Sequence, residues 1–133
     1  NHQRMGDLRQ AKIDRIADDY PELEIVGDPD ADLCLLSWGS TWAAIHAAVE
    51  RQRRAGHKVA WIHLQHLNPL PNDLGDKLRR YGTILVPELN KGQLCQLVRG
   101  KYLVDARSVS KVAGLPFRTR EIEDAIEAAR SAT

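Results

Sequence analysis

Cysteine is scarce in this sequence of 133 residues, which contains only Cys34 and Cys95 and no C-x-x-C pair. Both thiols lie within apolar runs, where we expect them to be reduced and buried. A chain of this length buries enough surface to fold as one domain without a disulfide or a structural metal. The sequence therefore excludes the small disulfide-rich and zinc-dependent classes.

Long apolar runs and a dominant charge of one sign are also missing. No stretch approaches the roughly 18–20 apolar residues that span a bilayer, and residues 1–7 contain no apolar signal region. Nineteen basic and eighteen acidic residues are interspersed and leave a formal charge of +1. The basic cluster over residues 51–58 falls at the end of a predicted helix, where cations complement the helix dipole. We expect a cytoplasmic protein that binds neither membranes nor nucleic acid.

The hydrophobic pattern alternates between helical and extended segments. A leading helix over residues 5–18 is followed by short strands that alternate with helices, the strands falling near residues 23–26, 32–37, 58–64, 83–87 and 103–109. Strands separated by helices predict right-handed crossovers and a mostly parallel sheet covered on both faces. The short turn over residues 27–30 favours a hairpin, which would make the first strand an antiparallel edge.

This pattern predicts an α/β fold, a three-layer α/β/α sandwich around a mostly parallel five-stranded sheet with one antiparallel edge strand. We expect residues 1–133 to form a single domain, with a leading helix over residues 1–20 and an α/β core over residues 21–133. No repeat, low-complexity tract or linker divides the sequence.

Two motifs resemble metal sites, but one lacks residues that such a site requires and the other lacks a suitable arrangement of side chains. Asp28, Asp30 and Asp32 begin like a calcium loop, but Leu33 and Gly39 stand where that loop needs a glycine and a bidentate glutamate. His63 and His66 lie three residues apart, and residues three apart on a strand point to opposite faces. One ion could bind both only if the strand ended between them. We predict no metal ligands in this chain.

Catalytic signatures are equally absent. The sequence contains no glycine-rich dinucleotide fingerprint, no Walker loop and no G-x-S-x-G nucleophile motif. Serine, histidine and aspartate all occur, but nothing in their spacing pairs a nucleophile with a base. We therefore predict no catalytic residues.

Two polar segments follow predicted strands, and ligands bind at the carboxyl ends of strands in open α/β sheets. In the first, a turn glycine and two hydroxyls suit a phosphate or a carboxylate, namely Gly39, Ser40 and Thr41; alternatively, one of the two hydroxyl residues is the N-cap of the next helix. The second segment has more polar groups than a turn requires, including Glu88, Asn90, Gly92 and Gln93. We expect these positions to contact a ligand or to form an interface.

Four strings in order carry a family resemblance. They are DLCLLSWGST (32–41), VAWIHL with LNPLP (59–64 and 67–71), VPELNKGQL (86–94) and KVAGLPF (111–117). Together they resemble the C-terminal region of the alpha subunit of 2-oxoacid:ferredoxin oxidoreductases, most closely the 2-oxoglutarate type. The resemblance extends from about Arg4 to Ala129 and implies a fold similar to the transketolase C-terminal domain.

The resemblance also implies a reaction for the parent complex. That reaction is oxidative decarboxylation of a 2-oxoacid with coenzyme A to acyl-CoA, carbon dioxide and reduced ferredoxin, with thiamine diphosphate, magnesium and an iron–sulfur cluster. This sequence has no thiamine diphosphate motif and too few cysteines for a cubane cluster. We therefore expect the chain itself to bind none of these cofactors.

The resulting hypothesis is a non-catalytic structural and assembly domain, a fragment of a larger alpha subunit. Its expected partners are the remainder of that subunit and a beta subunit, and ferredoxin is the partner of the parent complex. A stand-alone α/β module that binds an anionic small molecule at the strand ends is the competing hypothesis. A transketolase or dehydrogenase E1-type relative that shares only the fold is a third.

Overall fold

Five strands form one mixed sheet in the computed structural model, which describes residues 2–89, 91–111 and 114–132. The strands are β1 (Val26–Gly27), β2 (Leu33–Trp38), β3 (Ala60–Leu64), β4 (Thr83–Glu88) and β5 (Ala106–Ser110). Their order across the sheet is β1-β3-β2-β4-β5, with β1 antiparallel to β3 and all other pairs parallel. The predicted five-stranded, mostly parallel sheet with one antiparallel edge is confirmed.

The edge strand β1 pairs with β3 and not with β2, so the predicted hairpin is wrong. The backbone N–H of Asp28 donates to the Val59 carbonyl at 2.9 Å, and the Asp28 carboxylate accepts the Val59 N–H at 3.2 Å. Gly27 adopts a positive φ of 85°, and a Cβ there would collide with the Val59 carbonyl. These turn residues bind the chain just before β3, which places the edge beyond β3.

Four helices cover the two faces of the sheet: α2 (Trp42–Arg54), α3 (Leu74–Leu78), α4 (Gln93–Tyr102) and α5 (Thr119–Ser131). A fifth helix, α1 (His2–Ile16), precedes the first strand. Successive side chains of β2 point to opposite faces. Leu36 therefore packs in the core with α3 and α4, whereas Leu35 packs in the core with α2 and α5. This arrangement confirms the three-layer sandwich.

The leading helix α1 differs from the others because its apolar side chains remain in solvent. Met5, Leu8 and Ile16 are at least half exposed. Among the described residues, no helix is both long enough and apolar enough to cross a membrane.

The strand order creates one position at which the direction of winding reverses. The chain leaves β2 toward β3 on one side and returns to place β4 on the other side of β2. At such a position the loops after the two strands diverge to opposite faces and leave a crevice at the carboxyl ends. Both polar segments singled out in the sequence follow these two strands, β2 and β4.

Candidate functional site

The crevice between the ends of β2 and β4 is a small cleft of about 150 Å³. We call it the switch-point cleft, and its lining residues are Trp38, Gly39, Ser40, Thr41, Glu88 and Leu89. The fold thus brings the turn over Gly39–Thr41 together with Glu88, the first residue of the second polar segment, although Thr41 and Glu88 lie 47 positions apart along the chain.

Glu88 is the central charged group of this cleft, and it is fully engaged within the protein. Its side chain is buried, with 1% of the residue exposed. One carboxylate oxygen, Oε1, accepts the backbone N–H of Leu94 at 2.8 Å and the indole N–H of Trp38 at 3.4 Å. The other, Oε2, accepts the backbone N–H of Cys95 at 3.2 Å. The carboxylate therefore occupies the electropositive N-terminus of α4, where an external anion would otherwise bind.

Gly92 immediately precedes α4 and has a left-handed backbone with φ 79°. A Cβ at this position would lie 2.8 Å from the Ser108 hydroxyl of β5. The glycine thus allows the start of α4 to lie directly against β5. Gln93 is the first residue of α4 and is exposed, whereas Asn90 lies outside the described residues.

The segment after β2 forms a 3₁₀ turn over Gly39–Thr41 before α2 begins. Gly39 is exposed with φ 67°, and Ser40 is exposed beside it. Thr41 is buried and precedes α2, but its hydroxyl donates to the Trp38 carbonyl at 3.0 Å and makes no cap hydrogen bond to the helix. Thr41 therefore holds the N-cap position of α2, as that alternative places it, but its side chain does not cap the helix.

A second hollow of about 310 Å³ adjoins the switch-point cleft, and the two share Ser40 and Leu89. The second hollow continues along Lys111, Gly114, Leu115 and Pro116. Leu89 is 38% exposed and Leu115 is 58% exposed. We call the surface made by Ser40, Leu89 and Leu115 the strand-end surface.

A serine–histidine pair that sequence spacing did not indicate lies on the other side of β2. Ser37 and His63 are register partners on β2 and β3, and the Ser37 hydroxyl lies 2.8 Å from His63 Nδ1. The indole N–H of Trp61 donates to the same hydroxyl at 2.7 Å. Ser37 is completely buried, so its hydroxyl is not placed to attack a substrate. Sequence reasoning missed this pair because the register between β2 and β3, which no local motif sets, brings the two residues together.

Metal-binding geometry does not occur in the part of the chain that the structure describes, where no group of three or more His, Cys, Asp or Glu side chains is arranged around one point. His63 pairs with Ser37, whereas His66 stacks on Tyr20 with ring centroids 4.3 Å apart. Burial raises the pKa of the Cys34 thiol to about 12 and also raises the pKa of Cys95.

The described residues therefore do not fit the iron–sulfur cluster or the magnesium ion that the resemblance implies. A cubane cluster requires four thiolates, and this chain has two thiols that burial keeps protonated. The described residues likewise offer no cluster of carboxylates for a magnesium ion.

Comparison with known proteins finds relatives that align with half to nearly all of this chain, although no family model matches. The 2-oxoglutarate oxidoreductase subunit KorA of Mycobacterium tuberculosis is 54% identical over 131 residues, which are 97% of this chain and 20% of the relative. The 2-oxoglutarate synthase subunit KorA of Methanocaldococcus jannaschii is 32% identical over 99 residues, which are 73% of this chain and 27% of the relative. This chain is homologous to a segment of 2-oxoglutarate oxidoreductase alpha subunits.

Solved structures agree with this relationship to the 2-oxoglutarate oxidoreductases. The 2-oxoglutarate:ferredoxin oxidoreductase of Magnetococcus marinus, solved with 2-oxoglutarate, coenzyme A and succinyl-CoA bound, superposes with a TM-score of 0.86 at 28% identity. The match covers 96% of this chain and 23% of that one. The alpha chain of a probable 2-oxoacid ferredoxin oxidoreductase from Thermoplasma acidophilum, at 19% identity and a TM-score of 0.57 over 83% of this chain and 97% of that one, shows the fold alone.

The sequence resemblance to the oxidoreductase alpha subunit is confirmed, and a C-terminal region of that subunit fits the match. This chain spans about one fifth of the length of the curated relative to which it is 54% identical.

Proposed function

We propose that this chain serves as a non-catalytic structural and assembly domain of a 2-oxoglutarate:ferredoxin oxidoreductase alpha subunit. The complete complex would oxidatively decarboxylate a 2-oxoacid, 2-oxoglutarate in our proposal, with coenzyme A to acyl-CoA, carbon dioxide and reduced ferredoxin. The observation that carries this proposal is the 54% identity over 97% of this chain to one fifth of a KorA subunit. In this complex, thiamine diphosphate, magnesium and the iron–sulfur cluster would be held by other segments.

The internal use of polar groups supports a structural role. At the switch-point cleft the Glu88 carboxylate connects β4 to the first turn of α4 and to Trp38 of β2. Both oxygens of this carboxylate already accept hydrogen bonds from groups of the same chain. We infer that this carboxylate holds the strand ends in a fixed geometry and is not a free acid or base for a reaction.

The strand-end surface is the interface that we propose for assembly. Exposed leucines at positions 89 and 115 form an apolar rim beside Ser40, and contiguous apolar surface of this kind marks protein contact sites. We assign it to contact with the remainder of the alpha subunit or with a beta subunit, and we include Gly39, Asn90 and Gln93 in this proposal. Ferredoxin would be a partner of the complete complex.

We further propose that the chain forms a single domain, with residues 1–20 as a leading helix and residues 21–133 as the α/β core. A cytoplasmic location accompanies this proposal, because both cysteines are buried and free and ferredoxin-linked chemistry operates in a reducing compartment.

An assembly assay tests the interface directly. Leu115→Asp places a charge on the strand-end surface, and Leu103→Asp is the matched control at a leucine that is 88% exposed after α4. In a complete alpha subunit co-expressed with its beta subunit, we expect Leu115→Asp to reduce the assembled fraction on size exclusion at least fivefold. The control should assemble like the wild type, and equal assembly of the two variants would contradict the proposed interface.

The alternative of a stand-alone module that binds a small anion at the strand ends is not supported. A ligand carboxylate or phosphate at the N-terminus of α4 would meet the buried Glu88 carboxylate, and like charges at short range repel. A ligand at one hundred times its dissociation constant would add about 2.7 kcal/mol to the free energy of unfolding. We expect coenzyme A, thiamine diphosphate and 2-oxoglutarate to leave the melting temperature of this chain unchanged, and a saturable shift with any of them would favour the alternative.

A further inference from the structure

A second groove lies on the opposite side of β2 from the proposed interface, at the carboxyl end of β3. Its volume of about 370 Å³ falls within the range of small-molecule sites. We call it the β3-end groove. One wall carries Trp42 and His63, and the other is formed by the segment that leads into β1, including Tyr20, Glu22 and Glu24.

The hydrogen bonds behind His63 determine which of its nitrogens carries the proton. An indole N–H can only donate, so Trp61 donates to the Ser37 hydroxyl at 2.7 Å. The single hydroxyl hydrogen of Ser37 is then directed to His63 Nδ1 at 2.8 Å. His63 Nδ1 must therefore be an acceptor, which leaves the proton of the neutral ring on Nε2.

Burial favours the same neutral state, because it lowers the pKa of His63. A proton on Nδ1 would make Nδ1 a donor to the Ser37 oxygen and leave the buried hydroxyl hydrogen without an acceptor. Across the described part of the chain, no protein group bonds Nε2, and His63 lines the groove. The lining of the groove thus includes His63, and the hydrogen bonds of Ser37 and Trp61 set this ring to the tautomer with the proton on Nε2.

The walls of the groove favour a flat and uncharged ligand. Trp42 is 48% exposed, and His46 stacks on one face of its ring with centroids 4.7 Å apart. Tyr20 and His66 form a second stacked pair on the lining. No lysine or arginine lines the groove, whereas two glutamates do, so an anion finds no cationic partner there.

We propose that the β3-end groove binds a neutral planar heterocycle that carries a carbonyl group, a ring of the nicotinamide or uracil kind. The carbonyl oxygen accepts the Nε2–H of His63, and the ring packs against the indole of Trp42. The site is separate from the assembly role proposed above and does not depend on it.

The test uses nicotinamide as the probe and the ¹⁵N-labelled chain at pH 7.5. We expect the ring nitrogens of His63 to show the neutral Nε2–H tautomer before any addition. Nicotinamide should then produce saturable shifts at His63 and at the Trp42 indole. Nicotinate, which has a carboxylate in place of the amide, should bind at least tenfold more weakly.

Variants separate the two contacts. Trp42→Ala removes a half-exposed ring and His63→Phe removes the donor but keeps a ring, and each should weaken nicotinamide binding about tenfold, which is typical for the loss of one good contact. His57→Ala is the control, because His57 lies outside the groove. Any one of four results would overturn the proposal. Two concern the wild type: a His63 proton on Nδ1, or no saturable shifts with either nicotinamide or uracil. The other two are nicotinate binding as tightly as nicotinamide, and unchanged binding by Trp42→Ala.

Discussion

The switch-point cleft and the β3-end groove lie on either side of β2 and use their polar groups in opposite ways. In the cleft, the Glu88 carboxylate accepts three hydrogen bonds from the protein and has 1% of its residue exposed. In the groove, two successive hydrogen bonds lead from Trp61 through the Ser37 hydroxyl to Nδ1 of His63. The other ring nitrogen, Nε2, has no partner among the described residues. A carboxylate whose oxygens bind groups of the same protein indicates a structural role, whereas a ring nitrogen without a protein partner indicates a place where a ligand can bind.

This difference explains why strand-end position alone is a poor guide to function. Both sites occur where parallel strands end, and that is where ligands bind in α/β sheets. The switch-point cleft contains residues that the sequence singles out, yet its Glu88 carboxylate is bound to the first turn of α4. The groove is lined by residues that the sequence does not single out as a site, and Nε2 of His63 there has no protein partner among the described residues.

The largest expected effect comes from removing the acid of the cleft. Glu88→Ala leaves the N–H groups of Leu94, Cys95 and Trp38 without their acceptor in a buried site, so we expect the free energy of unfolding to fall by about 3 kcal/mol. Urea unfolding followed by circular dichroism measures this loss. Glu24→Ala, which removes an exposed acid, should change stability by less than about 0.5 kcal/mol. A loss below about 1 kcal/mol for Glu88→Ala would contradict the structural role of this carboxylate.

The next largest effect separates two glycines of the cleft region. Gly92 and Gly39 both have positive φ, which costs a non-glycine residue about 1–2 kcal/mol. A Cβ at Gly92 also approaches the Ser108 hydroxyl to 2.8 Å, whereas a Cβ at Gly39 meets nothing within 4 Å. We expect Gly92→Ala to destabilise the fold by about 2 kcal/mol and Gly39→Ala by about 1 kcal/mol.

A second substitution tests the cause of the Gly92 effect. If the collision with Ser108 contributes, Ser108→Ala should recover part of the stability lost in Gly92→Ala and none of that lost in Gly39→Ala. Identical losses for the two glycine variants would show that α4 does not rest on β5 as described.

A smaller effect sharpens the description of the groove. Burial lowers the pKa of His63 below its ordinary value of 6.5, so the unfolded chain binds a proton at a higher pH than the folded chain does. Stability from the neutral ring is therefore fully present above pH 6.5 and is lost as the pH falls through the folded pKa. Between pH 7.5 and pH 5, the urea midpoint of the wild type should fall more than that of His63→Gln. Parallel pH profiles would contradict the burial of a neutral His63.

The smallest expected effect concerns the thiols. Because burial raises the pKa of Cys34 to about 12 and raises that of Cys95, neither should react with Ellman's reagent at pH 8 in the folded wild type. In Glu88→Ala we expect Cys95 to react first, since its backbone N–H is one of the groups that Glu88 binds. Mass spectrometry of the labelled peptides distinguishes the two thiols, and equal reactivity of Cys34 in that variant would show general unfolding instead.

The sheet was predictable because apolar runs separated by helical stretches identify parallel crossovers. The strand order was harder, since the bonds from Asp28 to Val59 that place β1 beside β3 join residues 31 apart and follow no local rule. Polar groups after strands singled out the candidate residues in segments 39–41 and 88–93, and the structure places residues 39–41 and Glu88 around one cleft.

The chemistry of these groups was not predictable from spacing. Glu88 is an acid at a strand end whether it binds a ligand or a helix, and only the position of α4, which begins five residues later, distinguishes the two. Ser37 and His63 are register partners across β2 and β3, and the sequence contains no local signal that sets this register. Long-range geometry decides both roles.

The most direct test of the assembly role is an immunoblot of native cell extract with an antibody raised against this chain, run in denaturing and native gels. We predict a denatured band several times larger than 14.9 kDa that migrates in the native gel with a partner subunit. A denatured band at 14.9 kDa that migrates alone in the native gel would contradict the account.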